Sequence, residues 1–514
     1  MKHYKTRDNA EMEPMTSYSK TSQTRTTEKV AQGGGTHTVH KIGGTSMSNI
    51  EVVFDNILIG DRKGDALYNR IFVVSAYGGI TDMLLENKKT GEPGVFALYA
   101  GSENDWAWGD ALSRVQSHML ELNADAFDDE ADRKLADRFV QERVEGVRSC
   151  LIDLQRICGY GHFKLKEHLM TVREMISGIG EAHSAHNTML LLRRRGVNAE
   201  FVDLSGWRES ESMSLEDRIH DAFADINVET VMPIVTGYTQ AADGLMGLYG
   251  RGYSEVTFSA IACATGAKEA VIHKEFHLSS ADPRIVGADK VQPIGQTNYD
   301  VADQLSNMGM EAIHPRAAKG LRQQGIPLRI VNTFEPNHPG TVIDESWTPD
   351  EARIEIITGL ENAFEVEVFD QDMVGIPGSG EIALTAFRRF KVPLVSWSMN
   401  ANTMTFYVSA PMKQLRRVIE NIQKHQPGAE IQTRKVDIVS AIGANLRAKN
   451  ILGDAISAIE SSNLELLATH VSGRGVDIQL AFADGSYAEA VELLHKALIE
   501  DTGYDLPDVK RSAA

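Results

Sequence analysis

Cysteine is scarce in this 514-residue chain: Cys150, Cys158 and Cys263 are all it has, and no two form a Cys-x-x-Cys pair. That argues against a disulfide framework and a structural zinc site, and it fits a reducing, cytoplasmic setting. No run of 18 apolar residues occurs, so no membrane-spanning helix is expected. The G-x-x-x-x-G-K-[ST] phosphate loop is also missing. Basic residues are outnumbered, 52 Lys and Arg against 71 Asp and Glu, for a net charge of −19. The first 36 residues hold six basic and four acidic side chains, a surplus of +2, so the rest carries −21. Such a surface repels phosphate backbones and anionic lipid, which argues against nucleic-acid and membrane partners, and it would suit a high-salt cytoplasm.

What remains is the composition of a soluble enzyme, 42% apolar and 24% charged, long enough for two to four domains. Residues 1–36 are polar, Thr/Ser-rich, and close on three glycines; without an apolar core they read as a solvated tail rather than a secretory signal. From 37 to about 345, short strand-like runs ("IFVVSA", "AEFVDL", "TVMPIVTGYT", "EAVIHKEF", "IPLRIVNT") alternate with helical or Gly-rich segments. Long helical patterns cover 111–158 and 165–195. That alternation predicts an α/β domain with a mainly parallel sheet. Past 350 the chain repeats itself with an offset of 72 residues. "FEVEV" (364–368) falls on "VDIVS" (436–440), and "LTAF" (384–387) on "ISAI" (456–459). "VPLVS" (392–396) meets "LELLA" (464–468), and "MTFYV" (404–408) meets "VDIQL" (476–480). Two βαββ modules are expected, over 352–425 and 430–505.

Four loops could carry chemistry. "HKIGGTSMS" (40–48) puts Lys41 before Gly43, Gly44 and the hydroxyls of Thr45 and Ser46, with a helix expected from Ser48 or Asn49. Backbone N–H groups, a helix start and one cation make either an anion cradle or a plain turn. "SAYGGITD" (75–82) offers Ser75 and Thr81 at the end of a second strand. In "SGIGEAHSA" (177–185), read as opening a long helix, Glu181 is either a partner for the helix dipole or a carboxylate for a ligand ammonium. "GLMGLYGRGYSE" (244–255) sets Arg251 among glycines, suited to holding a carboxylate or phosphate, with Ser254 as the expected helix cap. The histidines of "HKEFH" (273–277) and "HSAH" (183–186) are not spaced as a metal site, and the latter reads as a solvated helix surface.

Taken in order, "KIGGTS", "VVSAYGGITD", "SGIGEAHSAHNTMLL", "VTGY…GLYGRGYSE", "SADPRIV", "MGMEAIHPRA" and "VNTFEPNHPGT" resemble the aspartate kinase family. The duplicated module is similar to the paired ACT domains that follow that kinase domain. The resemblance, over roughly 37–500, implies an amino-acid-kinase (carbamate-kinase-like) fold followed by two ACT domains. It implies transfer of the ATP γ-phosphate to the side-chain carboxylate of L-aspartate, with Mg2+ assisting and no ligand set for the metal legible. Carried over, it assigns Lys41, Gly43 and Gly44 to the transferring phosphoryl group. Ser75, Thr45, Thr81, Ser254 and Glu255 go to substrate and phosphates, Glu181 to the substrate ammonium, and Arg251 to a substrate carboxylate. His273, Lys274, Asp282, Arg284 and Glu311 would line the nucleotide. A homo-oligomer, dimeric or higher, paired through the ACT domains is also implied.

The chain departs from the family in places. "RGYSE" (251–255) stands where "RGGSD" is usual, so Tyr253 adds bulk and Glu255 a methylene. His273 and Lys274 replace a Thr-Asp pair, and Glu311 replaces a lysine; Lys274 and Glu311 could be one ion pair with its signs exchanged. "THVSGRGVDI" (469–478) replaces the "TSE" signature of the second ACT repeat, which implies weak or absent inhibition by lysine. These departures are similar to the branch associated with ectoine biosynthesis. The rival reading is an amino-acid sensor whose kinase domain is an inert scaffold.

Overall fold

The structure is a computed structural model that describes residues 35–101, 106–209, 211–310, 312–448 and 450–502. The expectations for the tail up to residue 34 and for Glu311 lie outside the described residues.

The first sheet uses β1 (Thr38–Ile42), β2 (Arg70–Val74), β3 (Ala199–Val202) and β4 (Met232–Thr236), then β5 (Glu269–Lys274), β6 (Gln296–Thr297), β7 (Leu328–Asn332) and β8 (Thr341–Ile343). Their spatial order is β3-β4-β2-β1-β5-β7-β8-β6. Neighbours run parallel except β7 and β8. Every residue of β2 and β4 is buried, because helices cover both faces; that is why these strands are apolar without alternation. Ile42, Phe72 and Val74 pack on one face with residues of the helices Trp106–Ala126 and Leu165–Arg194. Val39, Ile71, Val73 and Ile272 pack on the other with Phe258, Ile261 and Leu321 from Tyr253–Thr265 and Pro315–Gln324. Alternation along β1 therefore sends Lys41 to the second face and His40 and Ile42 to the first.

The second sheet is antiparallel throughout: β9 (Arg353–Phe369), β10 (Leu394–Met399), β11 (Thr403–Val408), β12 (Glu430–Ala444), β13 (Leu466–Val471) and β14 (Asp477–Ala483). Its order is β10-β11-β9-β12-β14-β13. The repeat is visible in matching elements: β10 and β13 share one pattern of burial, falling to exposed at their ends. The long strands β9 and β12 pair over their whole lengths and serve both halves. Residues 364–369 of β9 pair with β11, while 353–360 sit opposite the part of β12 that pairs with β14. Each module so borrows a strand from the other, and with the helices Met412–His425 and Tyr487–His495 each βαββ unit is extended to βαββαβ.

The two units share a seam. The loop after β5 runs into the second module: Ala281 and Val286 belong to the same core as Val491, Leu494 and Leu498. Ser280 Oγ is 2.9 Å from His495 Nε2, and His495 Nδ1 is 2.8 Å from Glu500 Oε1. Arg353 reaches from β9 to the carbonyl of Gln296 at 2.8 Å, with its guanidinium over Trp347.

One local expectation fails. "HSAH" is not a solvated surface. The helix Leu165–Arg194 is buried on almost every side from Ile176 to Leu192, since the sheet lies on one flank and other helices on the other. His183 bonds Asn123 at 2.7 Å, and His186 stacks on Phe139 at 4.1 Å. Burial pushes them down to about 3 and about 4, so both are neutral. The helix expected from Ser48 or Asn49 is present as Ile50–Val53, with Asn49 at its N-cap, and an additional single turn at Gly44–Met47 precedes it.

Candidate active site

The loops singled out in the sequence converge at the carboxyl ends of β1, β2 and β4, the edge where parallel sheets hold their ligands. Gly43 ends β1 and Gly44 begins the short turn that follows. A Cβ on Gly44 would stand 2.8 Å from the carbonyl oxygen of Ala76, so only glycine lets these loops come so close. Gly237, beyond β4, is equally constrained: its Cβ would meet Val74 O at 2.7 Å and Glu181 Cγ at 3.2 Å.

Lys41 is 8% exposed, and its ammonium lies 3.8 Å from Glu255 Oε1. The other oxygen of Glu255 accepts the backbone N–H of His314 at 2.5 Å, which fixes the carboxylate at the start of the Pro315–Gln324 helix. The tip of Lys41 is thus held by one oxygen of a carboxylate that is itself fixed, two residues before the Gly43–Gly44 turn.

Glu181 is 2% exposed and lies in the middle of Leu165–Arg194, not at a helix start. The dipole account of this residue therefore falls away. Its Oε1 accepts the hydroxyl of Tyr253 at 2.5 Å, and its buried Oε2 has no partner among the described residues. Burial raises this carboxyl to about 7, with the Tyr253 hydrogen bond, the backbone N–H groups of Glu181 and Ala76, and the Lys41 charge pulling the other way. An orphaned carboxylate oxygen of this kind is a place where a ligand donor belongs.

The other expected residues divide. Ser75 is half-buried, its carbonyl accepting Ser184 Oγ at 2.8 Å; Thr81 is half-buried and Thr45 exposed. Ser254 is buried but does not cap a helix, because the helix begins one residue earlier, at Tyr253 after Gly252. Arg251 is bonded to Asp82 and to the carbonyl of Glu86, so a substrate carboxylate would have to exchange with Asp82. His273 pairs with Ile42 in register and stacks on His40, on the face away from Lys41. Its Nε2 is 3.0 Å from His40 Nδ1, and burial pushes it down to about 3. Lys274 is half-buried at the end of β5. Asp282 caps the turn Pro283–Val286 through Arg284 N at 2.9 Å and pairs with the exposed Arg284 side chain. Its carboxyl is held below the usual range by those bonds. The proposed Lys274–Glu311 exchange has one member outside the described residues.

Three contributors were missed in the sequence: Asp82 as the partner of Arg251, the amide of His314, and the hydroxyl of Tyr253. Each sits inside a quoted motif, but none has a local signal, since its partner is 59 or more residues away. Among the described residues no helix is long and apolar enough to cross a membrane, and no three His, Cys, Asp or Glu gather as a metal cage.

Comparison with known proteins bears on this site. The model of the amino acid kinase family matches residues 37–332. The aspartate kinase Ask_Ect of Stutzerimonas stutzeri is 49% identical over 464 residues, covering 90% of this chain and 98% of that relative. An aspartokinase of Candida albicans is 24% identical over 517 residues, 90% of each chain. Among solved structures, Clostridium acetobutylicum aspartate kinase superposes with a TM-score of 0.67 at 19% identity, over 90% of this chain and 100% of that one. Escherichia coli aspartokinase III in complex with aspartate and ADP gives 0.65 at 16%, over 90% and 99%. At such identities these two speak for the fold alone. A family match over more than half of the sequence, joined to near-half identity along almost its whole length, makes the chain a member of the amino acid kinase family, among its aspartate kinases.

Proposed function

We propose that this chain transfers the γ-phosphate of ATP to the side-chain carboxylate of L-aspartate, giving 4-phospho-L-aspartate and ADP. A carboxylate oxygen forms the new bond to phosphorus while the bond to the ADP oxygen breaks. No covalent enzyme intermediate is needed, because the carboxylate is already ionised at neutral pH. The observation that carries the reading is the buried, unpartnered Oε2 of Glu181 beside the Lys41 cation, an ammonium acceptor next to a phosphate donor group.

In this scheme Glu181 takes the substrate ammonium, and Arg251 takes its α-carboxylate in exchange for Asp82. Lys41 with the amides of Gly43 and Gly44 stabilises charge on the transferring group, and Ser75, Thr45, Thr81 and Ser254 add hydroxyl donors. Glu255 restrains Lys41. Lys274, Asp282, Arg284 and Glu311 belong to the nucleotide side; His273 acts there only through its backbone, given the burial of its ring. Mg2+ bound to the nucleotide would offset phosphate charge. A cation that keeps its waters and is held mainly by phosphates needs no protein cage.

We place the enzyme in the branch whose product feeds ectoine synthesis, supported by its net charge of −19 and by the similarity to Ask_Ect. Weak lysine inhibition is part of the proposal: Arg474, in the turn that replaces the usual signature, is bonded to Asp300 of the kinase unit at 2.9 Å. A cytoplasmic homo-oligomer paired through the ACT sheet completes it. The test is trapping of the acyl phosphate as a hydroxamate with Mg-ATP, with and without lysine and threonine. Hydroxamate from aspartate and not glutamate is the expected result. ATP binding without any product would favour the sensor reading instead.

A further inference from the structure

We propose that Tyr253 is a positioning residue for the amino-acid substrate: its hydroxyl holds one oxygen of Glu181 so that the other is presented, ionised, to the ammonium group. The proposal rests on the reading of Glu181 as the ammonium acceptor and adds a residue that the family pattern does not contain, since glycine is usual at this position.

The geometry is specific. Tyr253 is the first residue of the Tyr253–Thr265 helix and is 2% exposed. Its ring meets Tyr238 edge-on, with centroids 5.5 Å apart and planes at 80°. Tyr238 is itself anchored through its hydroxyl to Glu174 Oε2 at 2.6 Å, one face of Leu165–Arg194 supplying both Glu174 and Glu181. The Tyr253 ring therefore cannot swing away, and its hydroxyl has one proton to give. That proton goes to Glu181 Oε1 at 2.5 Å. The hydroxyl satisfies Oε1, and Oε2 has no hydrogen-bond partner among the described residues, in a site where an unmet oxygen is costly.

The groups that act on this carboxylate are few: Tyr253 and, behind it, Tyr238 and Arg251 from one side, the backbone N–H groups of Glu181 and Ala76, and Lys41 from β1. Lys41 is engaged by Glu255. The hydroxyl is thus the one direct side-chain hydrogen bond to Glu181 among the described residues, and it favours the ionised form against the burial that raises the group. Remove it and the carboxyl keeps its proton to higher pH, so that it meets an ammonium group in its neutral form.

The test uses the full chain, Tyr253→Phe and Glu181→Gln, with steady-state rates for aspartate and ATP across pH. Tyr253→Phe should raise KM for aspartate about tenfold at neutral pH, a charged hydrogen bond being at stake. It should leave KM for ATP unchanged and kcat within about threefold. The acid limb of kcat/KM should move upward in pH. A uniform rise in KM with the limb in its original place means the ring merely packs, and sinks the proposal, as does an unchanged KM. Should the Phe variant fold poorly, 3,5-difluorotyrosine at 253 keeps the ring and strengthens the donor; the limb must then move downward, and an unmoved limb refutes the idea. Glu181→Gln separates the layers. If it leaves KM for aspartate unaltered, the ammonium reading itself fails; if it raises KM while Tyr253→Phe does not, the tyrosine alone is dismissed.

Discussion

Glu181 in the crevice and Glu355 in the seam between the units make an instructive pair. Both are fully enclosed, 2% and 0% exposed, and burial raises both carboxyls to about 7. Both have one oxygen without a hydrogen-bond partner among the described residues. Yet Glu355 has a cation in contact, Arg353 at 3.3 Å, itself fixed over Trp347 and on the carbonyl of Gln296. Glu181 touches a neutral hydroxyl, and the nearest cation, Lys41, is committed to a different carboxylate. Equal burial and equal shift therefore mean opposite things. A raised acid with a fixed guanidinium beside it is part of the frame, whereas one that touches only a neutral hydroxyl is set for a ligand cation.

The comparison can be broken in three ways. The largest effect belongs to the cation beside the crevice: Lys41→Met should lower kcat about 10^3-fold, the order expected for losing a principal donor to the transferring charge, while aspartate binding survives. Next, Glu181→Gln should cost about 10^2 in kcat/KM for aspartate with KM for ATP little changed. Its pH dependence sharpens the point. The ionised form binds ammonium, so wild-type kcat/KM should climb with pH through about 7 and level off above it, and the Gln variant should lack that limb. A pH-independent wild type would mean that Glu181 does not take the ammonium.

The smallest effect on rate belongs to the seam. Glu355→Gln should leave turnover within about twofold and appear in stability instead. The protonated form of Glu355 is the one the fold prefers. Its contribution is present below the ordinary carboxyl range and is lost as pH rises through about 7. The Gln variant has no such loss, so its melting temperature relative to wild type should improve between pH 5 and pH 8. A difference that stays constant across that range would show that Glu355 does not titrate in the folded protein.

Much of this was legible beforehand, for reasons that differ by element. β2 and β4 announced themselves because both faces are covered, leaving runs of apolar residues without alternation. The repeat survived as a constant offset because β10 and β13 occupy equivalent edges and face equal burial. The histidines at 183 and 186 misled because a helix enclosed by sheet and helices has no polar face to set against an apolar one, so its periodicity carries no sign. Arg251 was recognised as a clamp from its glycines, but nothing near it in sequence indicated that Asp82 already occupies it.

By itself, the sequence determined the parallel sheet, the duplicated module, the acidic surface and the order of the loops around the sheet edge. These depend on composition and short-range periodicity, which burial imprints residue by residue. Tertiary structure alone decided which face of β1 Lys41 takes, that β9 and β12 serve both modules, and that Tyr253 meets Glu181 across 72 residues. Pairings of that range are set by how helices pack over a sheet, and a single chain read in order holds no record of the distance between its own distant parts.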